Sequence, residues 1–121
     1  MKKQVLCAIA VASCAAIGSA APAISNLTDN RSSYTGSQVP LYEKFEITFD
    51  LNTIYSNPFD TNQIAVDCTL TSPTSRVLVQ PGFFFEDYVR SGSGAGETVD
   101  VVPNSRHWKV RFAPREAGNY N

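Results

Sequence analysis

Side chains suited to acid–base chemistry are few in this chain, and they are not spaced as a catalytic pair. Glu86 and Asp87 are adjacent, so in an extended strand they point to opposite faces and do not share one substrate. His107 is the only histidine, and its alternation with Lys109 and Arg111 indicates a solvated strand face. We therefore predict no catalytic residue and no enzymatic activity for this chain.

One loop carries several oxygen-bearing side chains, which raises the question of a calcium site. These side chains are Asp50, Asn52, Asp60 and Asn62. Carboxylate and amide oxygens bind calcium, but this spacing does not match an EF-hand loop. Asp and Asn also stabilise turns by bonding nearby backbone amides. We predict turn chemistry here, no metal site and no cofactor.

Residues 1–21 have the features of an export signal. Two lysines follow the initiator methionine, an apolar run of small residues comes next, and residues 18–21 offer small side chains for cleavage. The run is shorter than the roughly 20 residues that span a bilayer, so we expect no transmembrane span. Residues 11–14 resemble the lipobox of bacterial lipoproteins, which leaves lipidation of Cys14 as an alternative. Both interpretations predict a secreted or periplasmic protein.

Charge and cysteine content narrow the classes of partner and fold. The chain has 10 basic and 11 acidic side chains and no basic patch interleaved with aromatics, so nucleic acid is not an expected partner. Cys7 and Cys14 belong to the leader, which leaves Cys68 without an internal disulfide partner after its removal. Cys68 alternates in phase with Val66 and Leu70, so we predict a buried thiol that packs as a small hydrophobe.

Alternating patterns separated by turn residues predict an all-β fold, most simply a sandwich. Residues 22–40 are rich in small and polar residues and predict a flexible tether, with one short edge strand near Ile24–Thr28. Residues 41–121 would form the sandwich. Its predicted strands are Glu43–Asp50, Ile64–Thr71, Arg76–Gln80 continuing as Phe83–Arg90 beyond a break at Pro81-Gly82, Glu97–Val102, and the strand centred on Trp108. The glycine-rich residues 91–96 predict a mobile loop.

The strand centred on Trp108 organises the prediction. Trp108 and Phe112 fall on one face of an extended chain, and Pro114 ends the strand because proline cannot donate to a ladder. A turn through Gly118 then leads to Tyr120, a pattern typical of the corner of an immunoglobulin-like sandwich. We predict structural roles for Trp108, Phe112 and Tyr120.

The densest aromatic cluster consists of Phe83, Phe84, Phe85 and Tyr88. Alternation places Phe83 and Phe85 on one face and Phe84 and Tyr88 on the other. One pair should belong to the core. The other pair is then either a docking surface for a neighbouring domain or a platform on which sugar rings stack.

Five short motifs occur in an order that resembles a known family. They are Tyr42–Phe49, Asn57–Asp60, Thr71–Pro73, Pro81–Phe84 and Trp108–Pro114, the last followed by Gly118. The order resembles domain of unknown function 5060, found at the N-terminus of many secreted bacterial glycoside hydrolase-like proteins. The resemblance implies an immunoglobulin-like sandwich that precedes a cellulase-like (β/α)-barrel. It supplies no catalytic residue, because the carboxylates of such proteins belong to the barrel.

The resemblance therefore implies a non-catalytic module that packs against a catalytic barrel absent from this chain. The alternative is a stand-alone secreted or lipid-anchored module that binds polysaccharide or a cell-surface partner. Only Asn121 follows Tyr120, so we expect the last strands of the sandwich to be missing. We also expect the third strand, which carries Phe83 and Phe85, to be an open edge.

Overall fold

Eight β-strands form most of the regular structure in the computed structural model, which describes residues 8–12 and 22–121. The strands are β1 (Ala8–Ala12), β2 (Ile24–Asp29), β3 (Phe45–Leu51), β4 (Ala65–Thr71), β5 (Val77–Phe85), β6 (Tyr88–Ser91), β7 (Thr98–Val101) and β8 (His107–Phe112). Short 3-10 turns span Arg31–Ser33, Thr35–Ser37 and Gly94–Gly96. Within these described residues, no helix is both long and apolar enough to cross a membrane. Of the predicted export signal at residues 1–21, the structure describes only β1. Cys14 lies outside the described residues.

The strands pair antiparallel in the order β1-β4-β5-β8-β3-β2, and β6 and β7 form a separate hairpin. Alternation in the sequence explains the main strands, because each inward residue of β3 and β8 is apolar and most outward ones are polar. The strand predicted to continue to Arg90 is β5, and it ends earlier, at Phe85. The chain turns at Asp87, whose amide donates to Ser105 Oγ at 3.0 Å and whose carboxylate accepts from the Tyr88 amide at 3.0 Å. Residues 88–91 therefore belong to the hairpin.

Strand β5 passes from one layer of the fold to the other. Residues 77–81 pair with β4, and residues 82–85 pair with β8. The change occurs at Gly82, where a β-carbon would lie 2.9 Å from Val66 Cγ1, so only glycine fits without a shift. The predicted break at Pro81-Gly82 is thus the crossover. The strand lies between β4 and β8 in the strand order, but residues 83–85 pair with β8 alone and keep one unpaired side, as the sequence predicts.

The core lies between the inward faces of β4 and of the paired strands β3 and β8. Phe45, Ile47 and Phe49 of β3 pack with the inward residues of β4 and β8, namely Val66, Cys68, Leu70, Trp108 and Val110. Two curled antiparallel layers around one apolar core confirm the all-β sandwich. Trp108 is only 6% exposed, which confirms its predicted place in the core.

Cys68 requires a correction to the sequence prediction. It is fully buried, as the alternation with Val66 and Leu70 indicates. It is also disulfide-bonded, so the prediction of a cysteine without an internal partner is wrong. That prediction counted only the cysteines left after removal of residues 1–21.

The C-terminal corner is built around Tyr120. Its side chain is 2% exposed, and its hydroxyl accepts hydrogen bonds from the backbone amides of Arg115 at 3.1 Å and Glu116 at 3.0 Å. The ring packs edge-on against Phe112, with centroids 5.0 Å apart. Immunoglobulin-like sandwiches also carry a buried tyrosine that bonds backbone a few residues upstream, at one of their corners.

Both ends of the described chain pair with the sandwich. Residues 22–40 contribute β2, which lies beside β3, and the side chain of Asn30 bonds the Lys44 carbonyl and the Glu46 amide. On the other side, Ala8–Ala12 pairs with residues 65–69 of β4. Asn121 pairs with Thr71 through two backbone hydrogen bonds. Strand β4 is therefore covered on the edge that faces away from β5.

Candidate functional site

The outer face of the β5–β8–β3 layer carries an aromatic and ionic cluster. Lys109 Nζ lies 4.0 Å from the ring centre of Phe85, and the guanidinium of Arg111 lies 5.0 Å from that of Phe83. In the strand register Lys109 is directly opposite Phe83, so Phe85 is its diagonal neighbour, a position that long side chains reach. Cations above aromatic faces attract the ring quadrupole. We call this set of four side chains with Glu46 the outer face.

Glu46 holds the two cations of the outer face in place. Its carboxylate accepts from Lys109 Nζ at 3.0 Å and from Arg111 Nε at 2.6 Å. Burial raises the pKa of Glu46, but the hydrogen bonds from Arg111 and Lys109 outweigh it, so the pKa lies below its ordinary value of 4.5. The carboxylate therefore stays charged at neutral pH, and the cations remain ordered above Phe83 and Phe85.

The four aromatic residues predicted as a cluster lie in three environments. Phe83 and Phe85 are partly covered on the outer face. Phe84 points to the opposite side and packs edge-on against Trp108, with centroids 5.6 Å apart, so it is the member that joins the core. Tyr88 is exposed on β6, where its hydroxyl donates to Glu86 at 2.7 Å. Sequence alternation therefore places Phe83 and Phe85 together, whereas Tyr88 does not accompany Phe84.

His107 lies beside a carboxylate that the sequence did not associate with it. His107 Nδ1 is 2.7 Å from Asp50 Oδ1, and Asn26 donates to the other oxygen of Asp50 at 2.9 Å. Hydrogen bonds from Asn26 and His107 hold the pKa of Asp50 below its ordinary value. The register of β3 against β8 creates the pair between residues 57 apart in sequence. The contact with Asp50 fixes the orientation of the His107 ring.

The loop with the oxygen-bearing side chains makes one turn hydrogen bond and one long-range bond. Asp60 Oδ1 accepts from the Asn62 amide at 2.9 Å, which fixes the turn locally. Asn52 Oδ1 accepts from the Ala23 amide at 2.8 Å, which ties the loop to the start of β2, 29 residues away in sequence. Among the residues that the structure describes, no group of three or more His, Cys, Asp or Glu side chains is arranged to hold a metal ion.

The same loop also places a row of aromatic rings at one end of the sandwich. Phe59 is 69% exposed and meets Phe84 edge-on, with centroids 5.6 Å apart, and Phe84 in turn meets Trp108. The rings therefore continue from solvent into the core. In the sequence, Phe59 is recognisable only as a residue that follows a proline on a loop, which does not by itself mark a binding residue.

Comparison with known proteins assigns the sandwich to one family model. The model is described as Domain of unknown function (DUF5060), and it matches residues 38–121. No curated protein and no solved structure matches the chain. The matched range contains Glu46, Phe83, Phe85, Lys109 and Arg111, so the whole outer face lies within it.

Proposed function

Because the chain belongs to the DUF5060 family, we propose that it is a non-catalytic β-sandwich module of a secreted carbohydrate-active protein. The module docks on a catalytic (β/α)-barrel and supports it, while the barrel supplies the reacting carboxylates. A tyrosine corner at Tyr120 supports an immunoglobulin-like form of the sandwich. The outer face is the surface through which the module docks.

The observation that carries this proposal is the aromatic composition of the outer face. Outward positions of a sheet usually hold polar side chains, but Phe83 and Phe85 occupy two of them on β5. Aromatic and arginine side chains contribute most of the energy in many protein interfaces. Arg111 uses its Nε for Glu46 and is still exposed, so its remaining N–H groups are available to a partner. The expected partner surface is apolar at its centre and offers carbonyl or carboxylate oxygens opposite Arg111.

Calorimetric titration with the catalytic barrel of a secreted family member tests the docking. The intact chain is expected to bind, and the double variant Phe83→Ala and Phe85→Ala is expected to bind at least about tenfold more weakly. Val99→Ala is the control, because Val99 is an exposed apolar residue on the separate hairpin. Equal affinity of the double variant and the parent contradicts docking through this face. Hydrolysis of a polysaccharide by the chain alone, lost on mutation of one acidic residue, contradicts the non-catalytic role.

We also propose that the protein is exported. The predicted signal at residues 1–21 supports this location, and lipid attachment at Cys14 is the alternative form. Cell fractionation with intact-mass measurement distinguishes them. A mature chain that starts after residue 20 or 21 supports cleavage, and a diacylglycerol mass at Cys14 supports anchoring. A full-length chain retained in the cytoplasm contradicts export.

A further inference from the structure

A cleft lies beside the outer face, where strands β5 and β8 separate. Residues 77–81 of β5 pair with β4, and the pairing of β5 with β8 begins only at Gly82, opposite Val110. The cleft between the unpaired parts of the two strands has a volume of about 530 Å³, within the usual range for sites that bind small molecules. Leu78 and Phe112 give it an apolar wall. We call it the basic cleft, for the charges described next.

Positive charge is concentrated in the basic cleft, although the chain as a whole has 10 basic and 11 acidic side chains. The charged residues of its lining are Lys44, Arg76, Arg111, Arg115 and Glu116. Arg111 lies at the boundary with the outer face, where its Nε donates to Glu46 at 2.6 Å. Glu46 therefore offsets the charge of Arg111, and the other three cations determine what the cleft attracts.

Those three cations keep most of their hydrogen-bond donors free. Lys44 Nζ lies 3.6 Å from Glu46, and Arg76 Nη1 lies 3.8 Å from Glu116, and both distances are too long for a hydrogen bond. The guanidinium of Arg115 forms no ion pair with another residue in the described part of the chain. An anion in the cleft would therefore meet donors that the fold does not use.

Glu116 is the carboxylate of the lining, and it is directed to a neighbouring turn. Its Oε2 accepts from Thr74 Oγ1 at 2.8 Å and from the Thr74 amide at 3.3 Å. The hydrogen bond from the Thr74 side chain holds the pKa of Glu116 below its ordinary value of 4.5, so the group is charged at neutral pH. It lowers the positive charge of the cleft without cancelling it. It also ties the turn that carries Arg76 to the segment that carries Arg115.

Hydrogen bonds of the fold hold the backbone that carries the three cations. The Arg115 amide donates to the buried Tyr120 hydroxyl at 3.1 Å. The Arg76 carbonyl accepts from the Ser72 amide at 2.8 Å. The Lys44 carbonyl accepts two side-chain hydrogen bonds, at 2.8 and 2.6 Å. Three segments that are distant in sequence are therefore fixed around one cleft, which lowers the ordering cost of binding.

Tyr42 supplies an exposed aromatic ring to the lining of the cleft. Its side chain is 72% exposed, and its backbone has a positive φ of 67°, a conformation that favours glycine. Neither burial nor backbone preference therefore explains a tyrosine at this position. The Tyr42 amide donates to the Pro114 carbonyl at 2.8 Å, which anchors the residue beside the cleft. An anchored ring that is open to solvent offers a face on which a sugar ring can stack.

We propose that the basic cleft binds an acidic saccharide unit of a polysaccharide, one that carries a carboxylate or a sulfate group. The guanidinium groups of Arg76 and Arg115 present planar sets of N–H donors to the anionic group, and the sugar ring stacks on Tyr42. An acidic peptide would use the same cations but leave the tyrosine unexplained. This inference rests on the proposed role in a carbohydrate-active protein. It gives the module a ligand site beside the surface proposed for docking.

Variants that remove one feature of the cleft at a time test the inference. Arg115→Gln is expected to weaken binding of the acidic polymer by about three- to tenfold, because one cationic contact is lost. The double variant Arg76→Gln and Arg115→Gln should weaken it by at least about tenfold. Both side chains are exposed, so the melting temperature should stay close to that of the parent. Tyr42→Ala keeps every cation and should weaken binding by about three- to tenfold through loss of stacking. Arg90→Gln is the matched control, because it removes the same charge from an exposed arginine on the separate hairpin.

The measurement is calorimetric titration of the intact chain with four soluble polymers: polygalacturonate, a sulfated galactan, a neutral β-glucan and polyglutamate. Binding of polygalacturonate or the sulfated galactan, weakened by Arg115→Gln and Tyr42→Ala but not by Arg90→Gln, supports the inference. The polymer that binds more tightly identifies the anionic group as carboxylate or sulfate. Binding of neither acidic polysaccharide overturns the inference, as does full affinity in Arg115→Gln or in Tyr42→Ala.

The remaining outcomes separate the cleft from general charge attraction and from docking. An equal loss of affinity in Arg90→Gln overturns the inference, because net charge would then account for binding. Polyglutamate or β-glucan that binds as tightly as the acidic polysaccharides overturns it too. Barrel binding that depends on Phe83 and Phe85 is measured separately. A chain that docks on the barrel but binds no acidic polysaccharide contradicts only the basic cleft, and the reverse result contradicts only the docking.

Discussion

Replacing Tyr120 by phenylalanine removes a single oxygen atom and tests the corner that ends the described chain. The Tyr120 hydroxyl accepts hydrogen bonds from the amides of Arg115 and Glu116, at 3.1 and 3.0 Å. The aromatic ring itself stays in place in the variant, because its contact with Phe112 does not involve the oxygen. The change therefore reports on the two hydrogen bonds and leaves the apolar packing intact.

The expected loss of stability follows from those two bonds. A typical intramolecular hydrogen bond contributes about 0.5–1.5 kcal/mol to the free energy of unfolding, so two contribute about 1–3 kcal/mol. Arg115 is exposed, so water can reach part of this loop and the lower half of the range is favoured. For a domain of this size, about 1 kcal/mol corresponds to a shift of roughly 4–8 °C in the melting temperature.

Thermal unfolding followed by circular dichroism measures this shift, with urea unfolding as a second determination. Tyr42→Phe is the control, since the Tyr42 side chain is exposed and its substitution should leave the midpoint unchanged. A Tyr120→Phe midpoint equal to that of the parent would show that the hydroxyl does not fasten the corner. The immunoglobulin-like interpretation of the sandwich would then lose its main structural support.

Other parts of the fold give independent predictions. Glu46→Gln should lower the free energy of unfolding at neutral pH. The difference in stability from the parent should shrink as pH falls below about 4.5, because a carboxyl with a depressed pKa stabilises the fold above its ordinary pKa and loses that effect when it is protonated. Urea midpoints that differ by the same amount at every pH would refute this. Gly82→Ala should destabilise the fold by about 1–3 kcal/mol, because the new β-carbon would press on Val66; an unchanged melting temperature would mean that β5 tolerates a side chain at the crossover. Removal of residues 1–21 should uncover the edge of β4 at Ala65–Thr69 and cause self-association, measured by light scattering after size-exclusion chromatography; a monodisperse monomer with a sharp two-state melt would contradict it.

Local patterns in the sequence carried the prediction of the strands and of the core. The alternation around Trp108 fixes both a strand and its buried face, because successive side chains of a strand point to opposite sides. The same rule places Phe83 and Phe85 together on the outer face. The turn before Tyr120 was also visible in the sequence, because Gly118 precedes it. The structure explains why this residue is a glycine: its φ is 147°, and a β-carbon there would lie 2.6 Å from Pro73.

Features that depend on pairing between distant residues were not accessible from the sequence. The His107–Asp50 pair arises only from the register of β3 against β8. The passage of β5 between layers depends on which strand each half meets, although the break at Gly82 was visible.

The docking of the module on a catalytic barrel is tested most directly by a crystal structure of the chain bound to the barrel of a secreted family member. The proposed function predicts that the rings of Phe83 and Phe85 lie within the interface and that Arg111 donates to an oxygen of the barrel. A complex in which these three side chains remain in solvent, with the barrel seated on another surface, would contradict the assignment of the outer face.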